Sequence, residues 1–367
     1  MRVFVNATIV DREPYGLGHY ALQLIHHLRS AADLVVATSV PEHFSGVEVV
    51  EVPAWVRSSE TRFKGKPRYI YLNTLLRGLI KRLRPQVILS PNHEVMFRPP
   101  VPQVVIIHDL IAYFYPDLIP GQGFYYRKVL PGLLRGHARR IITVSESTRE
   151  DLIKEYGIPG EMVIAVHSGA GVEPGFDEPG FPLPERYILY VGSFLPYKNL
   201  RALLEAFGIL EHEDLHLVIA GPTAGKNRKL SRELLAQVLA KGLSERVAFV
   251  GYVPSSQLGT LYRNAELLVL PSLYEGFGFP PLEAMSCGTP VAVSRIPALV
   301  ETVGDAGLYF DPRSPEDMAK AIGRLLNDRQ LREEMVMKGK ERVKFFSWER
   351  TAVRVYEALC EAVRGRS

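Results

Sequence analysis

Short runs of aliphatic and β-branched residues alternate with longer amphipathic segments along most of the chain. This alternation is typical of βαβ units, in which helices cover both faces of a buried parallel sheet. In the first half, strands are predicted at Val3–Asn6, Leu34–Ala37, Val87–Leu89, Val104–Ile107 and Ile141–Val144. The clearest predicted helices there are His19–Arg29, Tyr69–Arg84 and Gly123–Gly136. The first half of the chain is therefore predicted to form one α/β domain.

A segment rich in glycine and proline interrupts the alternation between residues 169 and 184. These residue types suit neither a helix interior nor a central strand, so a linker is predicted here. The alternation then resumes, with strands predicted at Tyr187–Val191, Leu215–Ala220, Val247–Val250, Leu267–Leu270 and Val291–Val293. The pattern predicts an α/β fold with two Rossmann-like domains, each a parallel sheet flanked by helices.

Two helices are predicted near the end of the chain. Ser314 is an expected N-cap, followed by proline at the first helical position and acids in the first turn. The last helix has an apolar stripe that begins at Trp348, and we expect it to cross back to the first domain. The predicted domains are residues 1–168 with 348–367, and residues 185–347.

Composition agrees with a folded protein of two cores. The chain has 367 residues, 47% of them hydrophobic and 23% charged, as in ordinary soluble proteins. The N-terminus starts as a strand and not as a secretory signal, and no apolar run reaches the length of a membrane span. Cys287 and Cys360 are too few and too far apart for a disulfide framework. These features predict a cytoplasmic location.

The net charge of +4 is concentrated in one segment, Arg57–Arg84, which has nine basic residues and only Glu60 as an acid. Apolar residues recur there at helical spacing, which indicates an amphipathic helix with a basic rim. Two interpretations stay open: a core-facing helix with a solvated basic side, or a helix that docks on the anionic inner face of the plasma membrane. Nucleic acid is not an expected partner, because no recognised binding module accompanies the charge.

The segment Glu275–Glu283 follows a predicted strand and combines a glycine-rich loop with a helix start. Gly276 and Gly278 allow a tight turn and a close approach of backbone to ligand. The backbone N–H groups of Phe277, Gly278 and Phe279 are then expected to point outward at the helix N-terminus. Such a terminus favours an anion, and phosphate suits it.

The two carboxylates of this segment are expected to face one crevice at the carboxyl edge of the sheet. Glu283, at the helix start, is placed to accept hydrogen bonds from a ribose diol. Glu275, on the loop, can reach sugar hydroxyls or a developing positive charge. The residues alone leave a second interpretation open, in which acids merely stabilise a helix N-terminus without any ligand.

The segment resembles the motif of two acids separated by seven residues found in retaining glycosyltransferases of family 4, also called group 1, which have the two-domain GT-B fold. Further similarity covers most of the chain and includes the stretches Tyr190–Asn199, Val250–Val253, Ile107–Leu110, Thr143–Ser145 and Glu301–Pro312. The resemblance implies a retaining enzyme that moves a hexose from a nucleoside diphosphate sugar to a hydroxyl of a glycan or lipid-linked acceptor. The pattern around Lys198 is most similar to mannosyltransferases of polysaccharide and lipopolysaccharide assembly.

The resemblance also implies roles in the second domain. Glu275 contacts the donor sugar, Glu283 the ribose, and Lys198 the diphosphate, where a fixed cation stabilises the departing charge. Many members carry an arginine where this chain has Ser193, so one cation of the usual pair is missing. Lys226 and Arg228 are candidates to replace it, and the backbone around Tyr252 and Val253 is expected to contact the base.

In the first domain, the resemblance makes Gly16 and Gly18 a loop that lets the donor diphosphate and the acceptor approach the backbone. His108 directly follows a predicted strand, where it can donate a hydrogen bond to a sugar hydroxyl or relay a proton near neutral pH. Asp109 and His93 are acceptor-side candidates, although Asp109 can instead stabilise its own loop.

The expected donor is GDP-mannose, with UDP-sugars as the alternative. No metal site is expected, because the cysteines and histidines lack metal-ligand spacing, and the resemblance implies that no cofactor is required. A sugar-nucleotide epimerase of the same fold is a competing hypothesis. An NAD(P)-dependent oxidoreductase is less favoured, because the strand near Ala37 lacks the acid that binds an adenosine ribose.

Overall fold

The computed structural model describes residues 1–12, 16–56, 66–118, 122–170, 175, 177–223 and 228–365, without the side chains of Lys66, Pro67 and Arg228. The chain forms two compact units. The first comprises Met1–Gly169 and Phe346–Ser367, and the second comprises Ala170–Phe345. Each unit is an α/β fold with its own parallel sheet, as the alternation of strands and helices predicted.

The first unit has a parallel sheet of seven strands in the order β3-β2-β1-β4-β5-β6-β7. The strands are β1 (Arg2–Asn6), β2 (Asp33–Thr38), β3 (Glu48–Glu51), β4 (Val87–Ser90), β5 (Gln103–Ile107), β6 (Arg140–Thr143) and β7 (Val163–Ala165). Five of them were predicted, and their apolar runs are buried on both faces. The pattern missed β3 and β7, because these edge strands are short and only partly buried.

The helices of the first unit begin with α1 (Leu17–Leu28), α2 (Lys66–Asn73), α3 (Leu75–Leu83), α4 (Ile111–Phe114), α5 (Gln122–Phe124), α6 (Leu130–His137) and α7 (Glu146–Tyr156). Short 3₁₀ turns lie at Pro41–His43, Ala54–Val56 and Gly160–Met162, and a π-helical turn at Tyr125–Val129. The single helix predicted at Tyr69–Arg84 is wrong: Thr74, with φ −115° and ψ −88°, separates α2 from α3. The helix predicted at Gly123–Gly136 is likewise divided, by the π-helical turn.

The second unit has a parallel sheet of six strands in the order β10-β9-β8-β11-β12-β13. The strands are β8 (Tyr187–Val191), β9 (His216–Ala220), β10 (Val247–Gly251), β11 (Leu267–Leu270), β12 (Val291–Ser294) and β13 (Leu308–Phe310). Its helices are α8 (Leu200–Ile209), α9 (Arg228–Ala240), α10 (Ser255–Asn264), α11 (Phe279–Ser286), α12 (Pro297–Val303), α13 (Pro315–Asn327) and α14 (Arg329–Val343), with a 3₁₀ turn at Pro196–Lys198. The N-cap predicted at Ser314 is confirmed, because its hydroxyl accepts a hydrogen bond from Asp317 N–H.

The last helix, α15 (Trp348–Arg364), packs within the first unit. The ring of Trp348 meets that of Tyr20 on α1 edge to face, with centroids 5.3 Å apart. The hydroxyl of Thr351 donates to the carbonyl of His167 at 2.8 Å. The apolar stripe of α15 thus covers part of the first sheet's helical layer.

The strand order of each sheet reverses at one place. In the first sheet this switch point lies between β1 and β4, and in the second between β8 and β11. Parallel sheets bind ligands beyond the carboxyl ends of their strands at such a point, because the loops on either side diverge and open a crevice. The chemistry of each unit is therefore expected where these strands end.

Candidate functional site

The switch point of the second sheet brings together the two loops that carry Lys198 and Glu275. β8 ends at Val191 and β11 ends at Leu270, and these neighbouring strands are paired in parallel. Each loop leaves the carboxyl end of its strand, so the two side chains reach the same edge of the sheet. Lys198 and Glu275 therefore meet although they are 77 positions apart in the chain.

A single asparagine holds the Lys198 turn in place. Lys198 ends the 3₁₀ turn, and Asn199 follows it in the left-handed conformation with φ 60°, which asparagine tolerates better than most residues. The side-chain amide of Asn199 donates to the carbonyl of Pro271 at 3.1 Å and to that of Pro312 at 2.7 Å. These bonds tie the turn to the loop after β11 and fix the base of the Lys198 side chain.

Lys198 and Glu275 form a buried ion pair. The Nζ atom of Lys198 lies 2.5 Å from Oε1 of Glu275, and the hydroxyl of Ser272 donates to the same oxygen at 2.6 Å. The two charged side chains are only 12% and 9% exposed. Removing both charges from water costs several kcal/mol per ion, so a buried pair is weak evidence for stability. Its position at the switch point indicates a chemical use instead.

The pair also changes how the two residues are interpreted. The sequence motif separates their roles, whereas the structure joins them in direct contact. Among the described residues, both hydrogen bonds to the Glu275 carboxylate go to Oε1, so Oε2 keeps its capacity to accept hydrogen bonds from a ligand. A cation and a hydrogen-bond acceptor are thus presented side by side, which suits a ligand with an anionic group next to hydroxyl groups.

The loop before α11 leads into a helix N-terminus, as expected, but this terminus has fewer backbone N–H donors than most helices have. Gly278 is the N-cap with φ 99°, and a Cβ there would lie 2.5 Å from the Leu299 side chain, so only glycine fits. Pro280 and Pro281 occupy the first turn and have no N–H group. The donors at this end therefore come from the backbone up to Phe279.

The aromatic residues of the same loop hold it against its surroundings. Phe277 is buried, and its carbonyl accepts a hydrogen bond from the hydroxyl of Thr302 on α12 at 2.6 Å. The rings of Phe277 and Phe279 meet edge to face, with centroids 5.2 Å apart. Gly276 is buried between Phe277 and the ion pair. The loop is thus fixed before any ligand arrives, as an anion site made from backbone groups requires.

Glu283 does not lie at the helix start, as the motif suggested, but is the fifth residue of α11. The hydroxyl of the buried Tyr262 on α10 donates to its Oε2 at 2.7 Å. Burial, and then the nearby Glu283 carboxylate, raise the pKa of Tyr262 well above its ordinary value, so the phenol stays protonated and remains a donor. The half-buried carboxylate is therefore held in one orientation.

We expect the Tyr262→Phe substitution to lower the free energy of unfolding by about 1.5–3 kcal/mol, since a hydrogen bond to a charged acceptor is lost. Urea denaturation measures the change. Tyr187→Phe is the matched control, because its hydroxyl donates to the neutral carbonyl of Leu261 at a similar 2.7 Å. Tyr187→Phe should lower the free energy of unfolding less than Tyr262→Phe does. Equal decreases in the two variants would contradict a charge-assisted bond at Glu283.

The other predicted residues of the second unit lie on neighbouring loops. Ser193 follows β8, and its carbonyl accepts a hydrogen bond from the Tyr190 hydroxyl at 2.6 Å. Tyr252 and Val253 follow β10, the former exposed and the latter buried. Lys226 lies outside the described residues, and Arg228 begins α9 without a described side chain. The replacement for the missing arginine therefore stays a prediction.

The switch point of the first sheet holds a buried polar network that the sequence did not single out. Asn6 ends β1, and its side-chain amide donates to Oε2 of Glu94 at 3.0 Å across 88 positions of sequence. The guanidinium of Arg68 on α2 donates to the other oxygen of Glu94. The Nη1 atom of Arg68 is buried without a hydrogen-bond partner in the described part of the chain. The available signal was the position of Asn6, a polar residue that ends a buried strand.

Beside this network lie His93 and His108, whose ring centroids are 5.8 Å apart. The backbone N–H of His108 donates to Nε2 of His93 at 2.8 Å, so the Nδ1 atom of His93 carries the proton and faces the Tyr126 hydroxyl. The Nε2 atom of His108 contacts the carbonyl of Pro91 at 2.8 Å and must donate to it. The remaining Nδ1 atom of His108 is then an acceptor.

Burial lowers the pKa of His93 and of His108 to about 4, with the charge of His93 contributing to the shift at His108. Both rings are therefore neutral near pH 7. His108 was expected to donate to a sugar hydroxyl or relay a proton near neutral pH, and this interpretation needs correction. Its one N–H is already bonded to a carbonyl, so the ring is built to accept a hydrogen bond.

The lowered pKa values predict how stability depends on pH. The unfolded chain binds protons at these histidines near their ordinary pKa of 6.5, whereas the folded chain does so only near 4. Stability should therefore be unaffected by these residues above pH 6.5 and fall as the pH drops from about 6.5 to about 4. Urea denaturation at a series of pH values measures the free energy of unfolding, which should depend less on pH in the variant His93→Gln/His108→Gln. An equal reduction of this pH dependence by His43→Gln, which changes an exposed histidine, would contradict the assignment.

The remaining candidates of the first unit lie at the start of α1 and directly after β5. Gly16 is the N-cap of α1, with φ 51°. Gly18 was expected in a loop, but it is buried in the first turn of α1, because the helix begins two residues earlier than predicted. Asp109 accepts a hydrogen bond from Ile111 N–H at 2.9 Å, which stabilises the start of α4.

In the described ranges, no three histidine, cysteine, aspartate or glutamate side chains are grouped so as to hold a metal ion. Of the helices in those ranges, none is long and apolar enough to cross a membrane.

Comparison with known families identifies the class to which these two units belong. Residues 14–173 match the family model described as Glycosyltransferase Family 4. Residues 173–342 match the model described as Glycosyl transferases group 1. Together the two models cover residues 14–342 and meet at residue 173, close to the boundary between the two units at Gly169 and Ala170. The chain therefore belongs to the group 1, or family 4, glycosyltransferases.

Its curated relatives include enzymes of O-antigen assembly. The chain is 28% identical to the O-antigen chain mannosyltransferase B of Escherichia coli, over 94% of this chain and 95% of that protein. It is 27% identical to the O-antigen chain mannosyltransferase RfbU of Salmonella typhimurium, over 87% and 90% of the two chains.

Solved structures share the fold. Sucrose-phosphate synthase from Thermosynechococcus elongatus superposes with a TM-score of 0.78 at 21% identity, over the full length of both chains. HepE of Anabaena in complex with UDP and glucose superposes with a TM-score of 0.75 at 17% identity, over 98% of this chain and 100% of that one. The two parallel sheets flanked by helices are thus those of GT-B glycosyltransferases.

Proposed function

We propose that the chain transfers a mannosyl unit from GDP-mannose, with retention of anomeric configuration, to a hydroxyl of a glycan or lipid-linked acceptor. The observation that carries the proposal is the buried ion pair of Lys198 and Glu275 at the switch point of the second sheet. Similarity to two O-antigen mannosyltransferases supports mannose as the transferred sugar. Neither the donor nor the stereochemistry follows from the family alone.

The arrangement in the second unit suits departure of a nucleoside diphosphate. Negative charge grows on the leaving diphosphate in the transition state, and the Lys198 ammonium with the backbone N–H groups of Gly278 and Phe279 would stabilise it. Glu275 would use its free oxygen to hold a sugar hydroxyl close to the same group. Glu283, oriented by Tyr262, would accept the ribose hydroxyls.

No protein nucleophile is needed in this proposal. The acceptor hydroxyl would attack on the same face from which the diphosphate leaves, and the departing phosphate would take the acceptor proton. This assignment agrees with His108, whose lowered pKa makes it a poor proton carrier near pH 7. In the proposal His108 and Glu94 instead bind hydroxyl groups, His108 through its Nδ1 atom. Gly16 would let the donor diphosphate approach the backbone.

The names of the curated relatives specify mannose but no nucleotide, so GDP is the proposed nucleotide and not one that the relatives identify. HepE is known with UDP, so UDP-sugars stay the alternative donors under the proposal. Tyr252 and Val253 would contact the base from the loop after β10. The proposed enzyme needs no metal or other cofactor, because Lys198 and backbone donors supply the positive charge.

The proposed location is the cytoplasm, where sugar nucleotides are made, with peripheral contact at the inner face of the membrane. The basic segment Arg57–Arg84 would make that contact. Its first part, residues 57–65, lies outside the described residues, and α3 carries the exposed Lys81 and Arg82 on the remainder. A lipid-linked acceptor would be reached from this position.

The proposal is tested by incubating the purified chain with GDP-mannose or UDP-glucose. Each donor is tried with and without an acceptor, which is mannobiose or a mannose-capped alkyl glycoside, and with and without EDTA. We expect GDP-mannose to be consumed only when an acceptor is present, at a rate unaffected by EDTA. Proton NMR of the early product should show the same anomeric configuration as the donor. Donor turnover without acceptor would favour an epimerase, and an inverted product would overturn the retaining mechanism.

A further inference from the structure

A pocket lies at the opposite edge of the first sheet from its switch point. It has a volume of about 760 Å³ and is bounded by residues 98–103, by residues 135–139, and by Met162 and Gly365. β5 begins at Gln103 and β6 at Arg140, so the pocket lies beyond the amino ends of these strands. It is separate from the proposed donor and acceptor groups, which lie beyond the carboxyl ends.

The pocket wall is strongly basic. Arg98, Arg135 and Arg139 line it together with His137, and no carboxylate is among its lining residues within the described chain. The three arginines are exposed and come from the loop before β5, the last turn of α6 and the connection to β6. Neither Arg98 nor Arg135 is paired with an acid in the described ranges. Three separate segments thus bring positive charge to one concave surface.

Buried hydrogen bonds connect the segments of the wall. The side chain of the fully buried Gln103 accepts from Met96 N–H at 3.0 Å and donates to the carbonyls of Met96 and His137, each at 2.9 Å. These bonds join the loop before β5 to the end of α6. Pro99, Pro100 and Pro102 also restrict the backbone of that loop, because proline fixes φ. The loop and the helix end therefore keep their spacing.

The dipole of α6 and a local hydrogen bond explain only part of the positive charge in the pocket wall. Arg135 and His137 lie in the last turn of α6, where cations are favoured by the helix dipole. Arg139 donates to the carbonyl of Gly365 on the chain after α15. Neither reason applies to Arg98, which holds a left-handed backbone conformation with φ 48° beside the pocket. Arg98 extends over the ring of Phe97, which is 43% exposed.

We propose that this pocket binds a phosphate-bearing anion, either a soluble polyphosphate or the headgroup of an anionic lipid. Arginine binds phosphate through two parallel N–H bonds, and cations from several segments converge on such a group from different sides. The exposed Phe97 ring lies at the same rim and would suit an apolar neighbour such as an acyl chain. The site lies outside the proposed transfer chemistry and does not depend on it.

The test uses the full chain and the variant Arg98→Ala/Arg135→Ala. Lys320→Ala/Arg324→Ala is the matched control, because it removes two exposed cations from α13 in the second unit. Calorimetric titration with pyrophosphate measures the soluble ligand. Sedimentation with phosphatidylglycerol vesicles, and with neutral phosphatidylcholine vesicles, measures the lipid headgroup. Circular dichroism and thermal unfolding check that each variant is folded.

We expect the wild type and the control variant to bind one more pyrophosphate per chain than Arg98→Ala/Arg135→Ala does. Any pyrophosphate bound at the donor site is common to all three proteins and does not affect this difference. A lipid ligand would show as at least a tenfold loss of affinity for phosphatidylglycerol vesicles in the pocket variant alone. A loss confined to pyrophosphate would identify a soluble ligand. Equal binding by all three proteins, or equal losses in both variants, would overturn the proposal.

Discussion

Replacing Glu275 with glutamine should reduce the turnover number about 10²–10³-fold, because a pre-positioned charged group beside the reacting sugar contributes that much to the transition state. Glutamine has nearly the same size and can still accept the hydrogen bond from Ser272. The Lys198 ammonium would, however, stay buried without its carboxylate, so the free energy of unfolding should also fall, by about 3–5 kcal/mol. Initial rates of mannosyl transfer at saturating donor measure the loss of turnover, and circular dichroism checks that the assayed variant is folded.

Glu266→Gln is the control for this substitution. Glu266 belongs to the same unit and pairs with Arg186 and Arg332, but it precedes β11 and so lies at the opposite edge of the sheet. The control also replaces a half-buried, ion-paired carboxylate by an amide, and its turnover should stay near that of the wild type. Near-normal turnover of Glu275→Gln would remove Glu275 from the reaction.

Replacing Lys198 with methionine should have the second large effect, on both stability and turnover. The Glu275 carboxylate would remain buried without its cation, and breaking such a pair costs about 3–5 kcal/mol. The leaving diphosphate would also lose its fixed positive charge, so the turnover number should fall by about 10²–10³. Urea denaturation and initial rates measure the two effects separately.

The double variant Lys198→Met/Glu275→Gln distinguishes the two effects. Once both charges are gone, no ion is left buried alone, so most of the lost stability should return while turnover stays low. Lys338→Met is the matched control, since Lys338 pairs with Glu334 and Asp305 on the partly exposed surface of the same unit. Recovery of turnover in the double variant would contradict the assigned role of Lys198.

Much of the fold was accessible from the local pattern. Buried parallel strands read as apolar runs, so β8 and β11 were predicted with the bounds that the structure shows. The edge strands β3, β7 and β13 were missed, because they have only three or four residues and are only partly buried, so they lack the long apolar run of a central strand. The break at Thr74 was also missed, since one continuous apolar periodicity runs through both α2 and α3.

The candidate site was accessible to a smaller extent. The loop and helix from Glu275 to Glu283 could be located because glycine, proline and acidic residues mark a helix start. The contact of Tyr262 with Glu283 could not be predicted, since a tyrosine in a helix normally indicates only a buried face. The roles of these residues in binding and transfer stay predictions that the substitutions above address.

The α/β class, most of the strands, and the loop and helix that carry Glu275 could be predicted from the chain alone, because they depend on the local period of apolar residues and on turn chemistry. Which polar side chains come into contact became clear only from the packed sheets. Lys198 pairs with Glu275 across 77 positions, and Asn6 with Glu94 across 88. Such contacts depend on which strands become neighbours at the point where the order of a parallel sheet reverses, and no local pattern contains that order.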